Sequence, residues 1–206
     1  MINSKPVFIV SLIAALACPL ILQAQVNVGV SIGEEGLRGF YLAVGDYYKV
    51  PEREIVVIKE RRIPPEETPV VLIIAAQARV TPSAVIDLRL AGKSWMDISI
   101  HLRLSPEIFY VPVKVAVAGP PYGKAYGYFK NKPKKEWNKI ILTDAEIINF
   151  INLKFISEHY KHEPEKVIRM RQKGTSFVMI HGEVKKVGKG KVKVKEVKVK
   201  GKKGGK

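Results

Sequence analysis

The spacing of apolar residues divides the chain into an extended N-terminal part and a helical remainder. Valine and isoleucine alternate with small or polar residues from Val26 to Ile32, which predicts a half-buried strand. The stretches Gly39 to Val50 and Glu54 to Arg62 are rich in tyrosine and β-branched residues, and they predict two further strands. An antiparallel element of this size is marginal alone. We therefore expect residues 25–63 to pack on the helices that follow.

Helix-capping residues predict a first helical unit over residues 64–112. The unit begins after Pro64-Pro65, and its apolar run ends before Thr81 and Pro82, which suit the first positions of a second helix. Gly92 ends that helix, and Ser94 forms a predicted capping box with Asp97 at the start of a third.

A second helical unit is predicted over residues 143–186. Thr143 and Glu163 occupy the N-cap positions of two helices, and Gly174 ends the later one. The next run, Phe177 to Ile180, fits a strand as well as a short helix. The fold class predicted from these patterns is α+β, with a small N-terminal antiparallel β element packed on two related helical units.

An internal repeat relates the two units. PSAVIDLRLAGKSWMDI at residues 82–98 matches PEKVIRMRQKGTSFVMI at an offset of 82 positions, with seven identities in seventeen. The residues expected to hold each unit together are Arg89, Gly92, Ser94 and Trp95 in the first copy, and Arg171, Gly174, Ser176 and Phe177 in the second. A repeated arginine favours a structural role, in which it binds carbonyls at a helix end or pairs with an acid.

The N-terminal residues predict export. Lys5 is followed by an apolar run from Val7 to Leu22, which is typical of a signal peptide over residues 1–24 with cleavage after Ala24. The only cysteine, Cys18, lies inside this segment, so a cleaved chain would contain no thiol. A retained anchor and a lipoprotein cleaved before Cys18 are the alternatives. We expect the mature protein in the periplasm, on the outer surface or secreted, with no later membrane span.

Positive charge is concentrated in one linker and one tail. The chain carries a net charge of +16, and residues 114–139 together with 183–206 account for nearly all of it. The tail, residues 187–206, alternates valine with lysine and is expected to be disordered because it has nothing to bury its valines against. The lysines predicted to bind a polyanion are Lys124, Lys130, Lys132, Lys134 and Lys135 in the linker, and Lys191, Lys193, Lys195, Lys198 and Lys200 in the tail.

The linker, residues 113–142, also contains aromatic residues among its lysines. Dense glycine and proline predict an ordered loop or a flexible arm with no regular helix. Aromatic faces interleaved with positive charge suit single-stranded nucleic acid or acidic sugars. The residues predicted to stack on such a ligand are Tyr122, Tyr126, Tyr128 and Phe129. The alternative is that these rings attach the linker to the helical core.

Two resemblances extend this picture. Residues Arg89, Gly92, Ser94, Trp95 and Ile98, with HLRLSPEIFYVPV after them, resemble the helix-turn-helix of resolvase-like and transposase-like proteins. The implied recognition helix, near Ser105-Pro106, ends at Pro112 and offers no basic or amide side chain to base edges.

A longer resemblance covers most of the chain after the signal. The stretches YYKVPEREIVVIKERRIPPEETPVVLIIA, GPPYGKAYGY and VIRMRQKGTSFVMI are similar to a family of exported proteins of Geobacter-type bacteria that carries no assigned activity. That resemblance implies export and one shared architecture.

Candidate chemistry is sparse. The sequence contains no nucleophile elbow and no phosphate-binding glycine loop, and His159 and His162 are weak candidates for metal ligands because their spacing supplies at most two. We therefore expect a non-enzymatic protein without a cofactor that binds lipopolysaccharide, an acidic glycan, extracellular nucleic acid or another anionic envelope surface. The alternatives are a nucleic-acid-binding helix-turn-helix regulator and a metal-dependent enzyme of unfamiliar type. The sequence leaves the oligomeric state and the specific ligand open.

Overall fold

The computed structural model describes residues 33–114, 116–117 and 119–186, and within them the chain is helical and contains no strand. The signal peptide, the strand predicted over Val26 to Ile32 and the tail from residue 187 lie outside these residues. The helices are α1 Glu34–Tyr48, α2 Glu52–Glu60, α3 Thr68–Ala78, α4 Pro82–Leu90, α5 Trp95–His101, α6 Gly123–Lys130, α7 Asp144–Tyr160, α8 Pro164–Gln172 and α9 over residues 177–186. Short 3₁₀ helices cover Pro65–Glu67, Pro106–Phe109 and Lys134–Lys139.

The predicted α+β class is wrong, because the two described segments read as strands are α1 and α2. In α1 the buried residues Phe40, Tyr41 and Val44 recur at the three- and four-residue spacing of a helix. In α2 the buried pair is Ile55 and Ile58, again three apart. Tyrosine and β-branched residues favour strands only weakly when the packing surface is helical. The spacing of the apolar positions indicated the helices better than the residue types did.

Two central helices carry the core. Residues 68–75 of α3 are all buried, and α7 is buried along most of its length. A helix that is apolar on all sides belongs inside a protein, and α3 and α7 pack on each other. The remaining helices surround them: α4 packs on α3, α8 on α7, α1 on both, and α2 on α4.

The same backbone features recur 82 positions apart in the two units. Arg79 caps the end of α3 with φ 57°, and Lys161 caps the end of α7 with φ 55°, both in the left-handed region. α4 and α8 follow in identical register, and each leads to a glycine with positive φ, 85° at Gly92 and 86° at Gly174. The units α3–α5 and α7–α9 are therefore two copies of one three-helix plan. The open choice for Phe177 to Ile180 resolves as helix, since these residues lie in α9.

Side-chain hydroxyls cap four of the described α-helices, α4, α5, α7 and α9, at residues that the sequence indicated. Thr81 Oγ1 accepts from the N–H of Ala84 at 3.3 Å, and Ser94 Oγ accepts from the N–H of Asp97 at 3.0 Å. Thr143 forms a complete capping box with Glu146. Glu163 occupies the N-cap of α8 without a side-chain cap bond.

Candidate polyanion-binding surface

The lysine-rich linker is an ordered helical hairpin. Residues 123–139, called the basic hairpin below, form α6, a short turn and the 3₁₀ helix Lys134–Lys139. The prediction that this stretch holds no regular helix is wrong for α6. Tyr122, Tyr126 and Phe129 follow one another at four- and three-residue intervals, so a helix places all three rings on one apolar side. That gain in buried area outweighs the weak helix propensity of Gly123 and Gly127.

An aromatic cluster fixes the hairpin to the core. Trp137 is 7% exposed, and its Nε1–H donates to the carbonyls of Phe129 and Lys132, each at 3.1 Å. Its ring lies 5.0 Å from that of Phe129 and 4.8 Å from that of Tyr110, measured between centroids. Phe150 of α7 contacts the same cluster, with its ring centroid 5.9 Å from that of Phe129. The turn between α6 and the 3₁₀ helix is therefore held from inside.

The lysines of the basic hairpin point outward. Five of its six lysines are exposed and Lys132 is half-exposed, against a single acid, Glu136. Within the described part of the chain, none of these six ammonium groups belongs to an ion pair. Lys124 and Lys134 lie over the rings of Tyr128 and Trp137, at 5.9 and 5.6 Å from the centroids. The surface thus presents several positive charges that form no ion pair with a carboxylate of the described residues.

The rings predicted to stack on a ligand lie inside the protein instead. Tyr122, Tyr126 and Phe129 are at most 7% exposed, and the two hydroxyls donate to backbone carbonyls of Asn149 and Val111. Burial raises the pKa of both tyrosines. Burying a large aromatic ring stabilises the fold through the apolar area that it removes from water. These three residues therefore support the hairpin and offer no ring face to a base or sugar. Tyr128 is half-buried under Lys124.

The repeated arginines make matching contacts inside each repeat. Arg89 Nε donates to Glu67 at 3.0 Å, and Arg171 Nε donates to Asn149 at 3.0 Å. Each arginine also donates to the carbonyl four residues later, Lys93 or Thr175. The guanidinium carbons lie 4.6 Å from the ring centroid of Trp95 and 4.9 Å from that of Phe177. This geometry is that of a structural clamp around the turn at Gly92 or Gly174.

Each repeat also receives a carboxylate from the other. Asp144, at the start of α7, accepts from Arg89 Nη1 at 2.6 Å and from the N–H of Trp95 at 2.7 Å. Glu66, ahead of α3, accepts from the N–H of Phe177 at 2.6 Å and lies 4.0 Å from Arg171 Nη2. A carboxylate at a helix N-terminus satisfies a free N–H and favours the helix dipole. Sequence reasoning missed both acids, because only the three-dimensional pairing of the repeats brings them to these positions.

The predicted metal candidates do not form a cluster. His159 lies at the end of α7 with Nδ1 3.8 Å from Asp46 Oδ2, and burial lowers its pKa although Asp46 acts in the opposite direction. His162 follows in the turn before α8, where its N–H donates to the carbonyl of Ser157. Across residues 33–186, leaving out 115 and 118, no three His, Cys, Asp or Glu side chains are grouped so that they could hold a metal ion.

A different histidine, His181, is the most buried titratable group of the described C-terminal helix. It is 2% exposed and packs between Phe40 and Tyr160, with ring centroids 5.8 and 5.7 Å away. Neither ring nitrogen has a hydrogen-bond partner among the described residues. Burial, with smaller contributions from Lys185 and His159, lowers its pKa to about 4. The offset of 82 positions aligns His181 with Ser99, which is also buried.

The segments implied by the helix-turn-helix resemblance carry few side chains suited to reading bases. The exposed residues of α5 are Asp97, Ile100 and His101, none of them the arginine, lysine, asparagine or glutamine that most often reads base edges. The segment implied as the recognition element is the 3₁₀ helix Pro106–Phe109, whose two end residues are buried. Neither α5 nor this 3₁₀ helix therefore presents an exposed arginine, lysine, asparagine or glutamine to a base.

Comparisons with models of protein families, with curated proteins and with solved structures found no match to the chain. Among the helices of residues 33–186 none combines the length and the apolarity required to span a bilayer. The tail lysines Lys191, Lys193, Lys195, Lys198 and Lys200 lie outside the described residues. A function for this chain is therefore inferred from its own described surface.

Proposed function

We propose that this is an exported, non-enzymatic protein that binds an anionic polymer or an anionic envelope surface through the basic hairpin, with the tail lysines adding charge. One observation carries the proposal: six lysines are presented by a folded hairpin, and within the described chain no ion pair occupies any of them. A pre-ordered cationic surface attracts a polyanion and releases its condensed counterions.

The burial of the aromatic rings limits how the hairpin can bind a polyanion. Sequence-tolerant binding of single-stranded nucleic acid usually combines charge with base stacking. Here the rings of Tyr122, Tyr126 and Phe129 are held in the core, and Tyr128 is half-buried, so the hairpin supplies mainly charge. We therefore expect affinity to follow the charge density of the polymer, with little difference between oligonucleotides of different sequence, inorganic polyphosphate and the phosphates of lipopolysaccharide.

Salt titration of a matched pair of variants tests the proposal. The triple variant Lys130→Gln, Lys134→Gln and Lys135→Gln removes three hairpin charges, and the control Lys93→Gln, Lys166→Gln and Lys173→Gln removes three exposed charges elsewhere. With a single-stranded oligonucleotide, three lost phosphate contacts reduce the slope of log K against log salt by about 2. The control variant has the same net charge and keeps the wild-type slope within about 0.5.

The outcomes separate the alternatives. Equal slopes for the two triple variants would show that only net charge matters and would remove the hairpin from the proposal. Binding that ignores salt would contradict it altogether. A strong preference for one oligonucleotide sequence would favour the nucleic-acid-binding regulator instead.

Export is tested separately. The pattern of residues 1–24 supports it, and cell fractionation with N-terminal sequencing measures it directly. We expect a protein outside the inner membrane that begins near Gln25. A cytoplasmic protein that begins at Met1 or Ile2 would contradict export and would leave polymer binding to be judged by the salt titration.

A further inference from the structure

An open groove of about 830 Å³ runs between α1 and α2, away from the basic hairpin in sequence. Its walls are largely apolar, with Leu37, Tyr41 and Ile55 among the lining residues. Two large apolar side chains at the groove are exposed, Leu42 at 50% and Val56 at 43%. Apolar surface of this kind, bordered by charge, is typical of a surface that contacts another segment of chain.

The border of the groove is acidic. Four carboxylates line it against two cations, Arg38 and Lys59. Three of the carboxylates, on Glu34, Glu35 and Glu52, belong to no ion pair with a described residue. The fourth, Asp46, already lies 3.2 Å from Lys49 Nζ. The groove therefore fits a segment that alternates apolar side chains with positive charge.

The described chain ends beside this groove. α9 packs along α1, with Lys185 Nζ 3.7 Å from the position that a Cβ would take at Gly39. Glu35 and Leu42 lie four residues before and three residues after Gly39, and therefore on the same side of α1. The described end of α9 thus lies close to the side of α1 that carries Glu35 and the exposed Leu42.

We propose that residues 191–199 of the tail occupy the α1/α2 groove. Within this stretch, KVKVKEVKV, the alternation is strict from Lys191 to Lys195, so an extended chain places Val192 and Val194 on one side and these lysines on the other, which matches apolar walls with carboxylates above them; from Glu196 onward the alternation is reversed. An extended stretch of nine residues spans about 30 Å, and the part of α1 that lines the groove, from Glu34 to Asp46, spans about 18 Å, so the groove is long enough for the five alternating residues 191–195. The sequence alone predicts disorder for the tail because the tail has no apolar partner of its own, and the groove supplies one.

Disulfide trapping without any polymer tests the docking directly, so its outcome is independent of polyanion binding. The test chain carries Cys18→Ser, Leu42→Cys and Val194→Cys, and the control chain carries Ile141→Cys in place of Leu42→Cys. Ile141 is 64% exposed and lies outside the groove. We expect the groove pair to oxidise within one chain about tenfold faster than the control pair, because docking raises the local thiol concentration above that of a flexible tether.

A charge variant shows whether the carboxylates hold the tail. Adding Glu34→Gln, Glu35→Gln and Glu52→Gln to the test chain is expected to reduce the oxidation rate to that of the control pair. Circular dichroism verifies that each variant retains its helices. Equal rates for the groove and control pairs would overturn the docking, and so would disulfide-linked dimers, which would assign the groove to a second copy of the chain.

Discussion

Replacing the buried histidine of α9 is expected to remove most of an acid-sensitive loss of stability. His181 has a pKa of about 4 in the folded protein and about 6.5 in an unfolded chain. Between these values the unfolded state binds a proton that the folded state does not, so the free energy of unfolding falls as the pH falls through this range. Each pKa unit corresponds to about 1.4 kcal/mol, which gives a loss of about 2 kcal/mol at pH 5 and about 3 kcal/mol once both states are protonated.

The surroundings of His181 set the direction of this effect. α1 contributes Phe40 and α7 contributes Tyr160 to its apolar cage, so removal from water is the largest cause of the lowered pKa. The positive charge of Lys185 and the nearby His159 act in the same direction. Burial lowers the pKa of His159 too, so a smaller loss in the same pH range remains after His181 is replaced.

Urea unfolding of His181→Leu at pH 7.5 and pH 5 measures the contribution. Leucine has a similar volume and leaves no unpaired ring nitrogen, so we expect stability at pH 7.5 to rise by about 1 kcal/mol. The drop between the two pH values should shrink by about 2 kcal/mol relative to the wild type. His101→Leu, at an exposed position of α5, is the control and keeps the wild-type drop. An unchanged drop in His181→Leu would refute the assignment of acid sensitivity to this residue.

Four further substitutions probe the repeats and the hairpin, each by urea unfolding at pH 7.5. Gly92→Ala and Gly174→Ala should each cost about 1 kcal/mol and agree with each other, because both have positive φ and open space around them; costs that differ by more than about 1 kcal/mol would argue against equivalent turns. Asp144→Ala should cost about 3 kcal/mol, since it leaves part-buried Arg89 and a helix N-terminus without their carboxylate, and a neutral result would show that water replaces it. Trp137→Phe should cost about 1 kcal/mol through its lost Nε1 hydrogen bonds, with no cost expected only if these bonds do not form in solution.

Local chemistry made the helical units readable from the sequence. The positions of Thr81, Ser94 and Thr143 predict helix starts because a hydroxyl that accepts from the third residue on is a short-range device. Gly92 and Gly174 predict helix ends because few other residues adopt positive φ without strain. The repeat at 82 positions added an independent check, since a feature recognised in one copy could be sought in the other.

The N-terminal helices were misread because residue type was weighed above spacing. The run Ile55 to Ile58 contains four β-branched residues, which favour a strand, yet only the two at its ends are buried. Which face becomes buried depends on α4, against which α2 packs. A pattern this short does not show which element it will pack against. The two-residue period of a strand and the three- to four-residue period of a helix therefore both fit it.

The aromatic linker shows a second limit. Dense glycine and proline indicate a break in regular structure, and the breaks do occur before α6 and after it. The spacing of Tyr122, Tyr126 and Phe129 carried the helix signal within that stretch. Whether such rings face a ligand or the core depends on Phe150 and Tyr110, which are distant in sequence. The exchange of Asp144 and Glu66 between repeats depends in the same way on distant parts of the chain.

That exchange makes the two repeats a single cooperative body. In solenoid proteins each repeat adds its own stability and a nearest-neighbour interaction, so an array that loses one repeat loses only that repeat's share of the stability. Here the last helix of each three-helix unit begins on a carboxylate of the other unit. A fragment that contains only one unit would lack the carboxylate that the other unit supplies. Its arginine and the N-terminus of its last helix would then lose that hydrogen-bond acceptor. The repeat is thus visible in the sequence as a single unit, but we expect the two units to fold together.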